Sequence, residues 1–215
     1  MKYSFFAGPK GRTMLALVML CGASPALALG TPAYSITGSS FFDSDRPVTV
    51  GFKFTAESAS NLTALGYHDE GLDGLFNAHD VGLYDLSGTL LASATVPDGT
   101  TGDLIGEYRY VTLGSAYALT AGTQYVLAAH TSAGDGYRYG IVPPITLTVD
   151  PLISIADDAS RYVYGPGLAF PTAFAGYDIY ATPNMLLSPV PEPETYALLL
   201  VGLGLIGFTL RNKKA

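Results

Sequence analysis

The clearest pattern along the chain is an alternation of apolar and other residues close to position 50. Val48, Val50, Phe52 and Phe54 are separated by single small or polar residues. Because side chains alternate between the two faces of a strand, this period of two places all four on one face. The segment 48–55 is therefore predicted to be a half-buried β-strand.

Further short apolar segments follow, and turns rich in Gly, Pro and Asp separate them. The other predicted strands are 62–67, 81–85, 90–96, 108–113, 123–130, 145–149 and 179–187. No stretch of helical periodicity is recognised before the C-terminal segment. Many short strands joined by such turns are typical of an antiparallel sandwich. We predict a single all-β domain, a β-sandwich or jelly roll, over residues 29–189.

Residues 1–28 have the three parts of a secretory signal peptide. The charged residues at its start are Lys2, Lys10 and Arg12. The apolar run 14–21 follows, and Ala26 and Ala28 form an A-x-A cleavage site. The single cysteine lies in the part to be removed. An exported mature chain is therefore expected to have no disulfide and to depend on its core for stability.

A second apolar run covers residues 197–210. A helix over 195–210 would be about 24 Å long, slightly short of a bilayer core of about 30 Å. The residues that follow it are basic: Arg211, Lys213 and Lys214. Long basic side chains can extend to the interface, and they mark the cytoplasmic side of a membrane helix. We predict a transmembrane helix, with a buried C-terminal core helix as the alternative.

Residues 190–215 closely resemble the PEP-CTERM sorting signal of Gram-negative bacteria. Pro191, Glu192 and Pro193 match its motif, and the apolar and basic segments match in order and spacing. In that family a membrane protease-transpeptidase, exosortase, recognises the signal on exported proteins, often of biofilm-forming bacteria. The resemblance implies exosortase as a partner. It also implies inner-membrane anchoring with a periplasmic domain before sorting, and then delivery to the cell surface or extracellular matrix.

The charge of the predicted domain limits its partners. Six of the 11 Lys and Arg residues and two of the 18 Asp and Glu residues lie in the terminal segments, which leaves residues 29–189 with a net charge of −11. Nucleic acids and anionic membrane surfaces attract basic patches, so this balance argues against both as partners. It is consistent with cation binding or with solubility alone.

The middle of the domain carries a second resemblance, from about Ser35 to His130. Its segments begin with Gly66-Tyr67-His68-Asp69, and the others are 73–75, 79–85, 87–97, 108–111 and 119–126. They resemble a β-sandwich module of unknown function that recurs in PEP-CTERM proteins. The resemblance implies a fold and an exported setting rather than a reaction.

The densest cluster of acidic residues offers a possible cation site. Asp69, Glu70 and Asp73 lie in a loop punctuated by glycine. Carboxylate and carbonyl oxygens are the ligands that calcium prefers, although the spacing differs from that of an EF-hand loop. Two interpretations stay open: a calcium site formed by these three residues, or a solvated turn with a structural role only.

Zinc and catalytic chemistry have weaker support in the sequence. His68, His79 and His130 are the only histidines, and their spacing is not that of a zinc motif. His79 is expected to hydrogen-bond an adjacent loop. There is no Gly-x-Ser-x-Gly elbow, and no cysteine is expected in the mature chain. We therefore predict no enzymatic activity and no catalytic residues.

The tyrosines separate the two functional interpretations that remain. The first is a non-catalytic component of the envelope or biofilm matrix. The second is a carbohydrate-binding module that acts on exopolysaccharide. The chain has 15 Tyr and no Trp. Several Tyr rings on one sheet face or loop rim would favour sugar binding, whereas buried or scattered rings would favour a structural role.

Overall fold

The computed structural model describes residues 30–38, 40–42, 46–140, 146–176, 179–190 and 199–203. The strands are β1 (Thr31–Pro32), β2 (Tyr34–Thr37), β3 (Ser40–Phe42), β4 (Val48–Ala56), β5 (Ser60–His68), β6 (His79–Asp85), β7 (Leu90–Val96), β8 (Asp103–Ile105), β9 (Tyr108–Leu119), β10 (Gln124–Thr131), β11 (Tyr137–Gly140), β12 (Thr146–Val149), β13 (Ile153–Ser154), β14 (Ser160–Tyr164), β15 (Ala173–Phe174), β16 (Ile179–Tyr180) and β17 (Pro183–Pro189). A short 3₁₀ helix covers Glu70–Leu72, and residues 199–203 are helical.

Two large sheets form the framework of the domain. One has five strands in the order β1-β17-β5-β9-β8, and the other has the order β15-β14-β4-β10-β6-β7, with β13 also paired to β4. Smaller sheets have the orders β16-β11-β3 and β12-β2. Every pairing between the described strands is antiparallel. The predicted all-β sandwich is confirmed.

The core lies between the two large sheets. Phe52 and Phe54 of β4 belong to one buried cluster with Leu65 of β5 and Met185 of β17. All four side chains are at most 1% exposed. The alternation that predicted β4 therefore marks the face that packs against the opposite sheet. Burial of these large apolar side chains is the main contribution to the stability of the folded domain.

One predicted strand is wrong in its extent. The segment 179–187 is divided into β16 and β17, and Ala181 and Thr182 lie between them. The Ala181 amide donates to the Arg138 carbonyl, whereas the Thr182 carbonyl accepts from the His68 amide. The chain therefore leaves one sheet and joins another at this point. Pro183 has no N–H and is tolerated as the first residue of a strand.

The chain enters and leaves the domain at the same end. Thr31 of β1 pairs with Leu187 of β17, and the Val190 amide donates to the Ala59 carbonyl. Ala59 follows closely after Ala56, the last residue of β4. The first residue of β4 therefore lies at the opposite end of the domain, about 26 Å away at 3.3 Å per residue.

Several predicted features lie outside the described residues. They include the signal peptide with Ala26 and Ala28, the Pro191-Glu192-Pro193 motif and the basic tail at 211–214. Of the predicted membrane helix, only 199–203 is described, and it is helical. Within the described ranges, no helix has the length and apolar character needed to cross a bilayer.

Candidate functional site: a tyrosine-lined groove

Six aromatic rings gather in one groove at the end of the domain where β4 begins. The groove has a volume of about 350 Å³. Its aromatic lining consists of Tyr137, Tyr139, Tyr162, Tyr164, Phe174 and Tyr180. Val48 and Val50 form its buried floor. Several Tyr rings on one face or rim are the arrangement that, on the sequence alone, would favour sugar binding.

Strand alternation explains why the rings converge. Tyr162 and Tyr164 of β14 pair directly with Val50 and Val48 of β4. Directly paired residues of an antiparallel ladder point to the same face, so both rings stand over the valine floor. On β11, Tyr139 pairs with Tyr180 of β16. The small sheet thus faces the start of β4 and forms the second wall.

The rings form the walls of a cleft rather than a flat platform. The centroids of Tyr137 and Tyr180 are 5.4 Å apart with an interplanar angle of 81°. Those of Tyr162 and Tyr164 are 5.6 Å apart at 75°. Tyr164 is 54% exposed, whereas Tyr180 is 5% exposed. The exposed rings therefore lie at the rim and the buried ring lies at the base.

The groove offers apolar ring faces and phenol hydroxyls. A Tyr ring presents a rigid apolar face, and its hydroxyl both donates and accepts hydrogen bonds. Among the described residues, the lining contains no Asp, Glu, Lys, Arg or His. At the rim, the Arg46 guanidinium lies 4.5 Å from the centroid of the Tyr164 ring, a cation–π contact.

A second cavity, of about 390 Å³, has a charged lining. Arg138 donates from Nη1 to the Glu107 carboxylate and, over 3.0 Å, to Nε2 of His68. Burial, followed by the charge of Arg138, lowers the pKa of His68 to about 4, although Glu107 opposes the shift. Arg138, Glu107 and His68 are thus bound to one another, which indicates a structural role for these three groups.

The predicted calcium loop borders this cavity. Asp69 is 1% exposed, and its carboxylate accepts from Nε of Arg109 at 2.7 Å and from the Gly74 amide. Glu70 and Asp73 are exposed. The structure therefore does not bring the three carboxylates together. Within the described residues, no group of three or more His, Cys, Asp or Glu side chains could hold a metal ion. Calcium binding stays a prediction, which melting curves with calcium and with a chelator would test.

His79 joins β6 to the loop that follows β10. Its Nδ1 lies 3.0 Å from the His130 carbonyl oxygen and its Nε2 lies 3.0 Å from Oδ2 of Asp135. The ring therefore bridges the end of β10 and Asp135 of the loop that follows it. The ring also stacks on Tyr67 at 3.8 Å. The sequence predicted that His79 would hydrogen-bond the adjacent loop, and its observed partners are His130 of β10 and Asp135 of the loop after β10.

Comparison with known families shows which family the chain belongs to. A family model described as "Domain of unknown function (DUF4082)" matches residues 35–181. This span is more than half of the chain. The chain belongs to the DUF4082 family. A second model, the PEP-CTERM protein-sorting motif, matches residues 189–214 and confirms the sorting resemblance. No curated protein matches the chain.

The DUF4082 match extends well beyond the region in which the sequence resemblance was recognised. That resemblance ended near His130, whereas all six groove rings lie after it and within the matched span. The signal that could have identified four of them is the alternation in Tyr137-Arg138-Tyr139 and in Tyr162-Val163-Tyr164. Each repeats Tyr at a spacing of two, which is the period of one strand face.

The sorting motif indicates where the DUF4082 domain is delivered. A PEP-CTERM motif implies exosortase-dependent sorting of an exported chain toward the envelope. Neither matched model describes a catalytic family.

Proposed function

We propose that this protein is an exported, exosortase-sorted component of the envelope or biofilm matrix whose DUF4082 domain binds polysaccharide through the tyrosine-lined groove. The observation that carries the proposal is the convergence of five tyrosines and one phenylalanine on one open groove. Aromatic residues in a concave site with a few polar groups are typical of ligand pockets, and the volume is within their usual range of about 300–1,000 Å³.

The proposed role is binding without catalysis. The groove lining has no acidic or basic side chain among the described residues. Hydrolysis of a glycosidic bond ordinarily uses two carboxylates on either side of that bond. The sugar would therefore be held by ring stacking and by phenol hydroxyls.

The proposed domain boundaries follow from the predicted processing steps. A signal peptide, 1–28, is removed; residues 29–189 form the periplasmic domain of a Gram-negative cell; and the sorting signal, 190–215, anchors the chain in the inner membrane. Exosortase then acts at the motif, and the domain reaches the cell surface or matrix. Support comes from the matched motif and from strand β17, which ends at Pro189.

Binding should be measured on the full chain, in a detergent without a sugar headgroup, against a panel of polysaccharides and oligosaccharides. We expect Tyr162→Ala with Tyr164→Ala to weaken binding about tenfold or more, because truncation of central aromatic contacts typically costs over 1 kcal/mol. Tyr117→Ala is the matched control, because Tyr117 is partly buried on β9 outside the groove. Equal binding by both variants would overturn the proposal.

A purely structural matrix role is the second candidate. Its support is the burial of other tyrosines, including Tyr34, Tyr67 and Tyr110, whose rings help to fill the core. Under this alternative the groove rings would serve the contact between β4 and the small sheet only. The double variant would then lower the melting temperature, and no glycan would bind the wild-type protein.

A further inference from the structure

We infer that the groove is selective for a single, uncharged glycan chain, and that it discriminates against both anionic polysaccharides and the flat surfaces of insoluble ones. This inference rests on the proposed function. It specifies the chemical class of the ligand from the charges around the groove and from the angles between its rings.

The charges around the groove argue for a neutral ligand. Residues 29–189 carry a net charge of −11, and a field of this sign repels polyanions. Three of the five basic residues of this segment are bound to carboxylates: Lys53 to Asp158, Arg109 to Asp69 and Arg138 to Glu107. Their charges are therefore compensated within the domain.

The other two basic residues lie against exposed rings at the edge of the groove and are not part of its lining. Arg161 follows Ser160 and precedes Tyr162 on β14, and successive residues of a strand point to opposite faces. Its backbone position therefore directs it away from Tyr162, but its guanidinium lies 5.4 Å from the centroid of Phe174, an exposed ring of the groove. Arg46 is stacked over Tyr164 at the rim, and the lining itself is uncharged among the described residues.

The ring geometry argues for a single chain. A flat, packed surface of parallel chains would need exposed rings that share one plane. Adjacent rings in the groove are instead inclined by 49° between Tyr137 and Tyr139, 81° between Tyr137 and Tyr180, and 75° between Tyr162 and Tyr164. Walls at such angles can contact one sugar chain from several sides but cannot lie flat on a surface.

The test compares three kinds of probe with the full chain in a detergent without a sugar headgroup. Calorimetry would use a series of soluble neutral oligosaccharides and a matched series in which some sugars are uronic acids. A pull-down would use an insoluble crystalline polysaccharide. We expect the neutral series to bind at least tenfold more tightly than the acidic series. We also expect little change in that affinity between about 50 and 500 mM salt, because salt screens only charge interactions.

The outcomes separate this inference from the proposed function. Preferential binding of the acidic series, lost in Arg46→Gln, would overturn the neutral-ligand inference and leave glycan binding intact. Retention on the crystalline polysaccharide would overturn the single-chain inference in the same way. Binding of no probe in any class would count against the proposed function itself. Tyr164→Ala is compared with Tyr117→Ala at equal melting temperature. Loss of binding to the neutral oligosaccharides in Tyr164→Ala alone would support both the neutral-ligand inference and the proposed function.

Discussion

Arg109 donates from Nε to Oδ2 of Asp69 over 2.7 Å, and both side chains are buried. The same guanidinium donates from Nη1 to the carbonyls of Thr100 and Gly102. Arg109 of β9 therefore links Asp69 to the loop between β7 and β8. Asp69, which the sequence offered as a cation ligand, has a protein cation as its partner.

We predict that Asp69→Asn destabilises the protein by about 3–5 kcal/mol, because it leaves the buried Arg109 without a countercharge. Denaturant unfolding of the variant measures this loss. Asp73→Asn is the control, since Asp73 is exposed, and it should change stability by less than about 0.5 kcal/mol. Adding Arg109→Met to Asp69→Asn should recover part of the loss. A small effect of Asp69→Asn alone would contradict the assigned role of the pair.

Asp135, the acidic residue of the loop after β10, is predicted to be sensitive to substitution. Burial raises the pKa of Asp135, but hydrogen bonds from His79 and from the Phe76 and Asn77 amides lower it overall. Asp135→Asn replaces an acceptor of these bonds by a donor. It should therefore cost about 3 kcal/mol in the free energy of unfolding. Asp103→Asn on the exposed part of β8 is the control. Equal melting temperatures for the two variants would refute this prediction.

Stability is predicted to fall between pH 6.5 and pH 4 because of His68. Its pKa is lowered from 6.5 to about 4 in the folded protein, so in this range the unfolded chain binds a proton that the folded protein does not. By linkage, the contribution is complete above pH 6.5 and decreases by about 2 kcal/mol from pH 7 to pH 5.

His68→Gln retains an acceptor for Arg138 but does not titrate. The difference in stability between wild type and variant should therefore shrink, or change sign in favour of the variant, as the pH falls. Chemical denaturation of both proteins at several pH values measures this. Parallel stability curves from pH 7 to pH 5 would show that His68 does not titrate as described.

The sorting motif is predicted to be needed for processing and not for export. Replacing Pro191, Glu192 and Pro193 by Ala should leave export intact and block removal of the tail, so that an unprocessed membrane form accumulates. Glu194→Ala, which leaves the motif unchanged, is the control. Cell fractionation followed by immunoblotting measures the two forms. Normal processing of the triple variant would leave only the membrane-anchor interpretation.

The sequence was most informative where a strand has one buried face. The alternation in 48–55 predicted β4 to within one residue, because its four alternating apolar residues are all buried: Phe52 and Phe54 in the core, and Val48 and Val50 under the groove. Strands β11 and β14 were missed. Their alternating residues are tyrosines, which suit either face of a strand and thus give little contrast between inside and outside.

The site was harder to predict than the fold because its parts are distant in sequence. Tyr139 and Tyr180 are brought together only by the pairing of β11 with β16. Similarly, the partner of Asp69 is Arg109, 40 residues away. Acidic residues close together in sequence suggested a shared ligand, but the fold directs Asp69 inward and Glu70 outward.

The pairing of β17 with both β1 and β5 determines how the domain would respond to mechanical load. If the chain is held through its C-terminal end while a ligand is held at the start of β4, the pull acts along the axis of β17. Antiparallel hydrogen bonds lie perpendicular to the strands, so this force would shear the bonds on both sides of β17 together rather than open them one at a time. Under the proposed function, the domain would therefore resist extension between the cell and a bound polymer.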